Sequence, residues 1–465
     1  MLEPLVRNNL QRLHLVYDRF PSPARHVLTS ARGWLLTRIR YSPRTFDALL
    51  TLRSNESWNA EQIARHQLTQ VQQTFDHARL TVPYYRDYAP LALRSLEDLR
   101  SLPILAREIV RRNPELFSSE SVPPRRRIHA GTTGTTGANL TVAYSEETLA
   151  HNWAFLLRQW AWADVAPRSP RVTFFGARVV PVHRGEPPYW TFNMPERQLL
   201  MSIFHLSEKT APAYLDCLRR HRGKVLEGFP SVLSILADFV ARHGETLPMR
   251  AIFTSGEPLY PDARAKIERA FQSRVHDSYG MTELCGLIQE CEAGHMHLAP
   301  EYGYLEILNE ADEPVAPGED GHFVWTGFLN RAMPLIRYRV GDRGRWQSSA
   351  PCACGRAFPR VVPTITRESD SLHAPDGRIF SPRALNQLLK QTTALRFCQF
   401  VHDRRDRIVV RAVASSPRAN EEVMSVRAHL QSLLGPLASV TAELCDAPIS
   451  RRGGKIPLIV NQIAQ

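Results

Sequence analysis

Ala251-Ile252-Phe253-Thr254-Ser255-Gly256-Glu257-Pro258-Leu259 is a short apolar strand followed by a tight turn, and the residues after it predict a helix from about Pro261. The same order appears upstream. Val225-Leu226-Glu227-Gly228-Phe229-Pro230-Ser231 delivers a helix at Val232 to Ala241, and Arg171-Val172-Thr173-Phe174-Phe175-Gly176 is a strand ending in glycine. Before these, Thr141-Val142-Ala143-Tyr144 is strand-like, and Ser145 with Glu146 and Glu147 caps a helix through Trp153 and Trp160. Strands alternating with helices imply a parallel sheet packed on both faces.

Beyond Ala299 the pattern changes to strands, Tyr304–Leu308 and His322–Thr326, joined by turns at Asp312-Glu313-Pro314 and Pro317–Gly321. Helical spacing from Glu61 through Val71 marks the first part of the chain. The expected organisation is a helical lead-in over 1–70, a large domain over 71–366, a polar hinge over 367–371, and a smaller domain over 372–465. The fold class is α/β: layered sheets and helices in the large domain, with a small mobile α+β domain after it.

At 465 residues, 43% hydrophobic and 22% charged, the composition is that of an ordinary globular chain. No signal-peptide run and no stretch of eighteen apolar residues is present, so a cytoplasmic protein without a transmembrane segment is expected. The net charge is +12, but the arginines are scattered, and Pro123-Pro124-Arg125-Arg126-Arg127 is the one tight cluster. That cluster reads as phosphate-proximal or simply solvated. Scattered charge argues against nucleic-acid binding, which needs one basic face. Seven cysteines without regular spacing favour thiols or a metal site over disulfides.

Ala130-Gly131-Thr132-Thr133-Gly134-Thr135-Thr136-Gly137-Ala138-Asn139 has the chemistry to hold phosphate, because glycine amides and short threonine hydroxyls can converge on an anion. No Gly-Lys-Ser/Thr closes it, which excludes a Walker A loop. Two segments downstream, Asp277-Ser278-Tyr279-Gly280-Met281-Thr282-Glu283 and Tyr338-Arg339-Val340-Gly341-Asp342, complete a recognisable series. With Gly453-Gly454-Lys455, their order and separation resemble the adenylate-forming superfamily of acyl-CoA synthetases, nonribosomal adenylation domains and luciferases. Within it the chain resembles the phenylacetate-CoA ligase branch and its divergent members from capsular-polysaccharide clusters. The resemblance runs from about residue 70 to the C-terminus.

It implies an AMP-forming ligase that activates a carboxylic acid as acyl-AMP, releasing pyrophosphate, and passes the acyl group to coenzyme A. An amine or hydroxyl acceptor remains the alternative, and a zinc-stabilised binding protein with a vestigial nucleotide site is the rival from another class. By resemblance, Thr132, Thr133, Gly134, Thr135, Thr136 and Gly137 grip the β- and γ-phosphates of ATP, and Glu283 ligates Mg²⁺. Gly256, Glu257 and Pro258 face Tyr279 across the adenine, with Asp277 near its exocyclic amine. Gly280, Met281 and Thr282 complete that wall, and Asp342 takes the ribose hydroxyls.

By the same resemblance, Lys455 pairs the acid with the α-phosphate, and Arg367 and Asp370 form the hinge. The resemblance also places Phe174, Trp190 and Phe229 along the acid pocket, whose aromatic content favours an aryl acid. His205 is a catalytic candidate or a satisfied core histidine.

Cys352-Ala353-Cys354-Gly355 with Cys291 and His297 offers the S₃N set of a closed structural zinc site, with His295 as an alternative ligand. The identity of the acid, the acceptor, the pathway and the oligomeric state are not readable from the sequence.

Overall fold

The computed structural model describes Tyr17 and residues 20–462, apart from 134–138, 177–178, 182–183, 348–349, 365–371, 375–377, 381–383, 386, 390–391, 405, 448 and 450–456. Three helices lead in: α1 (Ser22–Arg40), α2 (Pro43–Ser54) and α3 (Ala60–Thr81). Asn59 accepts from the Gln62 amide and Gln62 returns the bond, each at 2.9 Å, so α3 starts in a closed capping box. It runs eleven residues past the boundary expected at 70.

Strand β1 (Leu105–Ala106) and helix α4 (Arg107–Arg112) precede the Gly/Thr hairpin, β2 (Ile128–Thr133) and β3 (Asn139–Tyr144). Helix α5 (Glu146–Trp162) follows, with the Ser145 hydroxyl accepting from the Thr148 amide at 3.1 Å, as its sequence predicts.

The central sheet contains β4 (Arg171–Phe174), β5 (Trp190–Asn193), β6 (Gln198–Met201), β7 (Val225–Gly228), β8 (Ala251–Ser255), β9 (Val275–Gly280), β10 (Leu287–Glu290) and β11 (Met296–Leu298). Their spatial order is β11-β10-β9-β8-β7-β4-β6-β5. The run from β9 to β6 is parallel, with α6 (Ala211–Arg219), α7 (Pro230–Arg242) and α8 (Pro261–Phe271) as its crossings. The alternation visible in the sequence is therefore this parallel block.

A second sheet takes β12 (Gly303–Leu308), β13 (Gly321–Gly327) and β14 (Tyr338–Trp346), with β1 pairing parallel and the short β15 (Val361–Pro363) pairing antiparallel to β14. After the small hairpin β16 (Leu372–His373) and β17 (Ile379–Phe380), a third sheet is built from β18 (Leu395–Arg404), β19 (Arg407–Ala414), β20 (Ser439–Leu444) and β21 (Ile459–Asn461), with α9 (Ala419–Leu434) against it. The hinge expected at 367–371 lies outside the described residues.

Helix α1 lies on the edge strand β5. Its Gly33 makes that approach possible, since a Cβ there would fall 1.8 Å from the Asn193 side chain. Beneath the helices, Glu196 is fully buried and receives Arg171 at 2.5 Å, Arg40 at 3.1 Å and the Tyr41 hydroxyl at 3.1 Å. Two cations and a phenol satisfy one buried carboxylate, so the lead-in is tied to the sheet by charge as well as by apolar packing.

Glu196→Ala leaves Arg171 buried without this partner and is expected to lower unfolding free energy by about 3–5 kcal/mol in urea titration. A loss under about 1 kcal/mol would show that Glu227, 3.3 Å from Arg171, suffices alone to neutralise it.

Candidate active site

The carboxyl ends of parallel strands are where α/β sheets bind ligands, and the nucleotide residues expected from the sequence gather there. On β9, Asp277 and Tyr279 are two residues apart and share a face. The Thr254 hydroxyl of neighbouring β8 donates to Asp277 at 2.6 Å. Beyond β8, Gly256 adopts φ +80°, a left-handed conformation that a side chain would disfavour. The turn sends the Glu257 carboxylate to the first turn of α7, where it accepts from the Ser231 amide at 3.1 Å. Glu257 thus fixes the relation of turn to helix, a role beyond the adenine wall expected of it.

Gln159 of α5 donates to the Asp277 carbonyl at 2.8 Å, locking β9 from the far side. Burial pushes the Asp277 carboxyl up to about 7, with Glu290 adding to the rise and the Thr254 hydrogen bond and Arg264 opposing it.

Tyr279 joins the two sheets. Its ring stacks on the buried Trp325 of β13 at 6.4 Å, and its hydroxyl donates to Asp342 of β14 at 2.8 Å. The ribose carboxylate expected at Asp342 therefore stands beside the adenine-side tyrosine, although the two are 63 residues apart.

Glu283 is buried, and its Oε1 accepts from Arg107 and from the Tyr338 hydroxyl, each at 2.8 Å. A carboxylate at the start of a helix would be exposed. This one is enclosed and neutralised. The pairing of β1 with β14 sets Leu105 opposite Tyr338 and Ala106 opposite Arg339, which delivers Arg107 to the site. Arg337 braces that pairing from behind, holding Glu306 through two bonds of 2.9 Å and the Leu102 carbonyl at 2.5 Å.

Neither Arg107 nor Tyr338 was expected as a site residue. Tyr338 lay inside a quoted motif, but Arg107 carries no signal beyond its place just after an apolar pair. Of the remaining residues of this wall, Gly280 ends β9, Met281 packs at the edge of the apolar core, and the Thr282 carbonyl accepts from the Tyr144 hydroxyl of β3.

The Gly/Thr segment forms a hairpin in which Thr132 faces Leu140 and Thr133 faces Asn139 across β2 and β3. Gly134, Thr135, Thr136 and Gly137, like Arg367, Asp370 and Lys455, lie outside the described residues.

Three expectations are corrected. His205 is buried, with Nε2 donating to the Pro181 carbonyl at 3.1 Å and Nδ1 2.7 Å from the Ser202 hydroxyl. A carbonyl can only accept, so Nε2 carries the proton and Nδ1 takes the hydroxyl hydrogen. The ring is a satisfied core histidine, stacked on Tyr189, rather than a catalytic group. Phe174 has no exposed surface and tilts against Tyr214, so it belongs to the core rather than to a pocket wall. Phe229 is also buried, edge-on to Phe175, while Trp190 is half-buried on the edge strand.

Finally, Arg127 of the basic cluster is buried and donates to the Ser119 and Val122 carbonyls at 2.9 and 2.8 Å, so its charge serves the backbone rather than phosphate or solvent.

A second site lies at the far edge of the central sheet. The ligand atoms of Cys291, His297, Cys352 and Cys354 all fall within 4.8 Å of one another. Cys291 follows β10, His297 sits on β11, and the Cys352–Cys354 turn comes from the chain beyond β14. The His297 Nδ1 donates to the Phe358 carbonyl at 2.8 Å, which leaves Nε2 as the lone-pair nitrogen, 3.5 Å from the Cys354 sulfur. His295 is not part of the group; its carbonyl accepts from the Cys291 amide at 3.0 Å. Three sulfurs and one nitrogen at this spacing suit tetrahedral zinc.

Comparison with known proteins shows what the chain as a whole is similar to. Residues 198–328 match the family model described as AMP-binding enzyme. The chain is 22% identical over 466 residues to protein CapK of Staphylococcus aureus, covering 97% of this chain and 100% of that one. It is 26% identical over 357 residues to phenylacetate-coenzyme A ligase of Pseudomonas putida, covering 72% and 77%. A solved 2-hydroxyisobutyryl-CoA ligase, in complex with 2-HIB-AMP and CoA, shares the fold with a TM-score of 0.56 and 20% identity over 88% of this chain and 91% of that one.

Because Asp277 is raised in the folded state, its contribution to stability is full below the ordinary aspartate value of 3.8 and is lost as the pH rises toward about 7. Asp277→Asn should flatten the stability–pH curve across that window, read by urea unfolding at several pH values. Parallel curves for the two proteins would contradict the raised carboxyl.

The motifs, the layered α/β architecture and these likenesses converge: the chain is an AMP-forming ligase, similar to the adenylate-forming superfamily and, within it, to the phenylacetate-CoA ligase-like branch.

Proposed function

We propose that this ligase activates an aryl carboxylic acid with ATP and Mg²⁺, forming acyl-AMP and pyrophosphate, and then transfers the acyl group to coenzyme A. The observation that carries the reading is the pair of 2.8 Å hydrogen bonds, Tyr279 to Asp342 and Tyr338 to Glu283, that join the segment from β9 to Glu283 with β14.

In this reading Asp277 and Tyr279 hold the adenine, Asp342 accepts from the ribose, and Thr132 and Thr133 lead into the residues that grip phosphate. Glu283 fits a magnesium site, because it is a hard oxygen donor already facing one cation, Arg107. Bound magnesium supplies charge neutralisation to the triphosphate. Lys455 contributes the remaining charge, pairing the acid with the α-phosphate, and its removal is expected to cost about 10²–10³ in adenylation rate. Rotation at Arg367 and Asp370 then carries it away before transfer. Trp190, half-buried on β5, and Phe229, edge-on to Phe175, are the aromatic residues that favour a flat acid, while Phe174 lies in the core.

The test is pyrophosphate release over a panel of aryl and alkyl acids, with and without coenzyme A, for the parent protein and Glu283→Gln. An aryl acid should give release and a thioester in the parent, and Glu283→Gln should lower release by about 10²-fold or more. Release that ignores the acid, or an unimpaired Glu283→Gln protein, would overturn the assignment. Release followed by amide or ester formation without coenzyme A would keep the adenylation and replace the acceptor.

Zinc at Cys291, His297, Cys352 and Cys354 is proposed as structural, since four protein ligands leave no open position. Arg356, just past the cysteine pair, reaches Glu56 at 2.8 Å and lies over the Trp162 ring at 4.4 Å, so the knuckle pins the lead-in to α5. Protein purified without added metal should carry about one equivalent of zinc and melt lower after chelation. Less than a few tenths of an equivalent, with an unchanged melt, would leave only buried thiols.

A further inference from the structure

Helix α1 turns an apolar stripe outward. Val27, Ala31 and Trp34 follow one another at spacings of four and three, and Arg38 continues the line with its guanidinium 3.8 Å above the Trp34 ring. Val27 is 68% exposed and Trp34 51%, with Leu28 beside them at 42%. Met194 adds to the patch at 69% exposure, placed there by its amide, which donates to Ser30 at 3.1 Å. Phe20 is exposed just before the helix begins.

The opposite side of α1 is already in use. Arg25 and Gly33 are buried, and Arg40 reaches Glu196 under the helix. The outward stripe is therefore not needed to hold α1 on the sheet.

Charge distinguishes the possible occupants. No aspartate or glutamate occurs between Ser22 and Arg40, while Arg32 and Arg38 are exposed along the stripe. Glu196, the acid met on the inner side, is buried and neutralised by Arg40 and Arg171. The chain as a whole carries +12.

A tryptophan and aliphatic stripe flanked by arginine, with no acid on the helix, is the composition that lies in a lipid interface, the rings at headgroup depth and the guanidiniums on phosphate. A protein groove would ask for apolar anchors without requiring that every acid be missing.

We infer that the outer face of α1 docks this enzyme on the surface of an anionic membrane, as a peripheral contact. Among the described residues no helix is long and apolar enough to cross a membrane, which agrees with a contact confined to the interface. The inference is independent of the reaction proposed above. The residues of the stripe do not belong to the nucleotide site, so binding and adenylation can be measured separately.

The experiment is co-sedimentation of the whole protein with phosphatidylcholine vesicles, with and without phosphatidylglycerol, at low and high salt. The double variant Val27→Glu/Trp34→Glu tests the stripe. Leu80→Glu, an equally exposed apolar position on α3, is the control. Thermal melts establish that all three proteins are folded.

The parent should bind the anionic vesicles, bind less as salt rises, and bind neutral vesicles weakly. The double variant should partition roughly tenfold or more weakly, with the Leu80→Glu protein unchanged. Failure of the parent to bind anionic vesicles, or equal binding by the double variant, would overturn the inference. So would a dimer in gel filtration that the double variant abolishes, since a second copy would then cover the face.

Discussion

The site depends on pairing one buried carboxylate with an opposite charge. Glu283 is almost wholly removed from water, and an isolated carboxylate there would cost several kcal/mol. Its two partners come from opposite ends of the large domain, Arg107 from just after β1 and Tyr338 from the start of β14. For both to reach Glu283, β1 must pair parallel with β14, and the turn after β9 must face that pair. The central and second sheets are therefore registered against each other at the point where Tyr279 and Asp342 also meet. Arg337, buried and clamped to Glu306, prevents the segment before β1 from drifting. Arg107 also places a cation against the carboxylate proposed to bind metal, so that metal must displace or share an existing ion pair.

Other buried charges divide the labour differently. Glu196 with Arg40 and Arg171 attaches the lead-in helices, and Glu301 with Arg158 ties α5 to the segment between β11 and β12. Both pairs are built on arginine, whose planar fork satisfies a buried carboxylate with more donors than lysine can offer. The arginine excess that reads in the sequence as scattered charge is, at these positions, interior and structural. The net positive charge consequently overstates what is available to partners, and the acid-free outer face of α1 is one place where arginines remain exposed along an apolar stripe.

Much of the large domain was legible because its signals are local. Apolar pairs ending in Gly256 or Gly228 mark parallel strands, Ser145 marks a helix start, and Asp277 to Glu283 is a continuous motif. The Cys291, His297 and Cys352–Cys354 group could be read for the same reason, since metal ligands are few in kind and a knuckle is short. Arg107 was not legible, because its meaning arises from a two-residue strand pairing with a segment more than two hundred positions away. His205 and Phe174 misled in the opposite direction: a histidine and an aromatic near a strand end look like site residues until burial and hydrogen bonds are known. Glu257 carried a second role that only the position of α7 reveals.

The central proposal is that Glu283 is a metal-binding carboxylate whose ion pair with Arg107 must open for the ion. A crystal structure of the protein with Mn²⁺ and a non-hydrolysable ATP analogue, with the metal located by anomalous scattering, tests it most directly. A metal peak at about 2.1 Å from a Glu283 oxygen, with Arg107 moved toward phosphate, is the expected result. A metal bound to the phosphates alone, with the Arg107–Glu283 pair intact, would contradict it and make Glu283 a structural anchor.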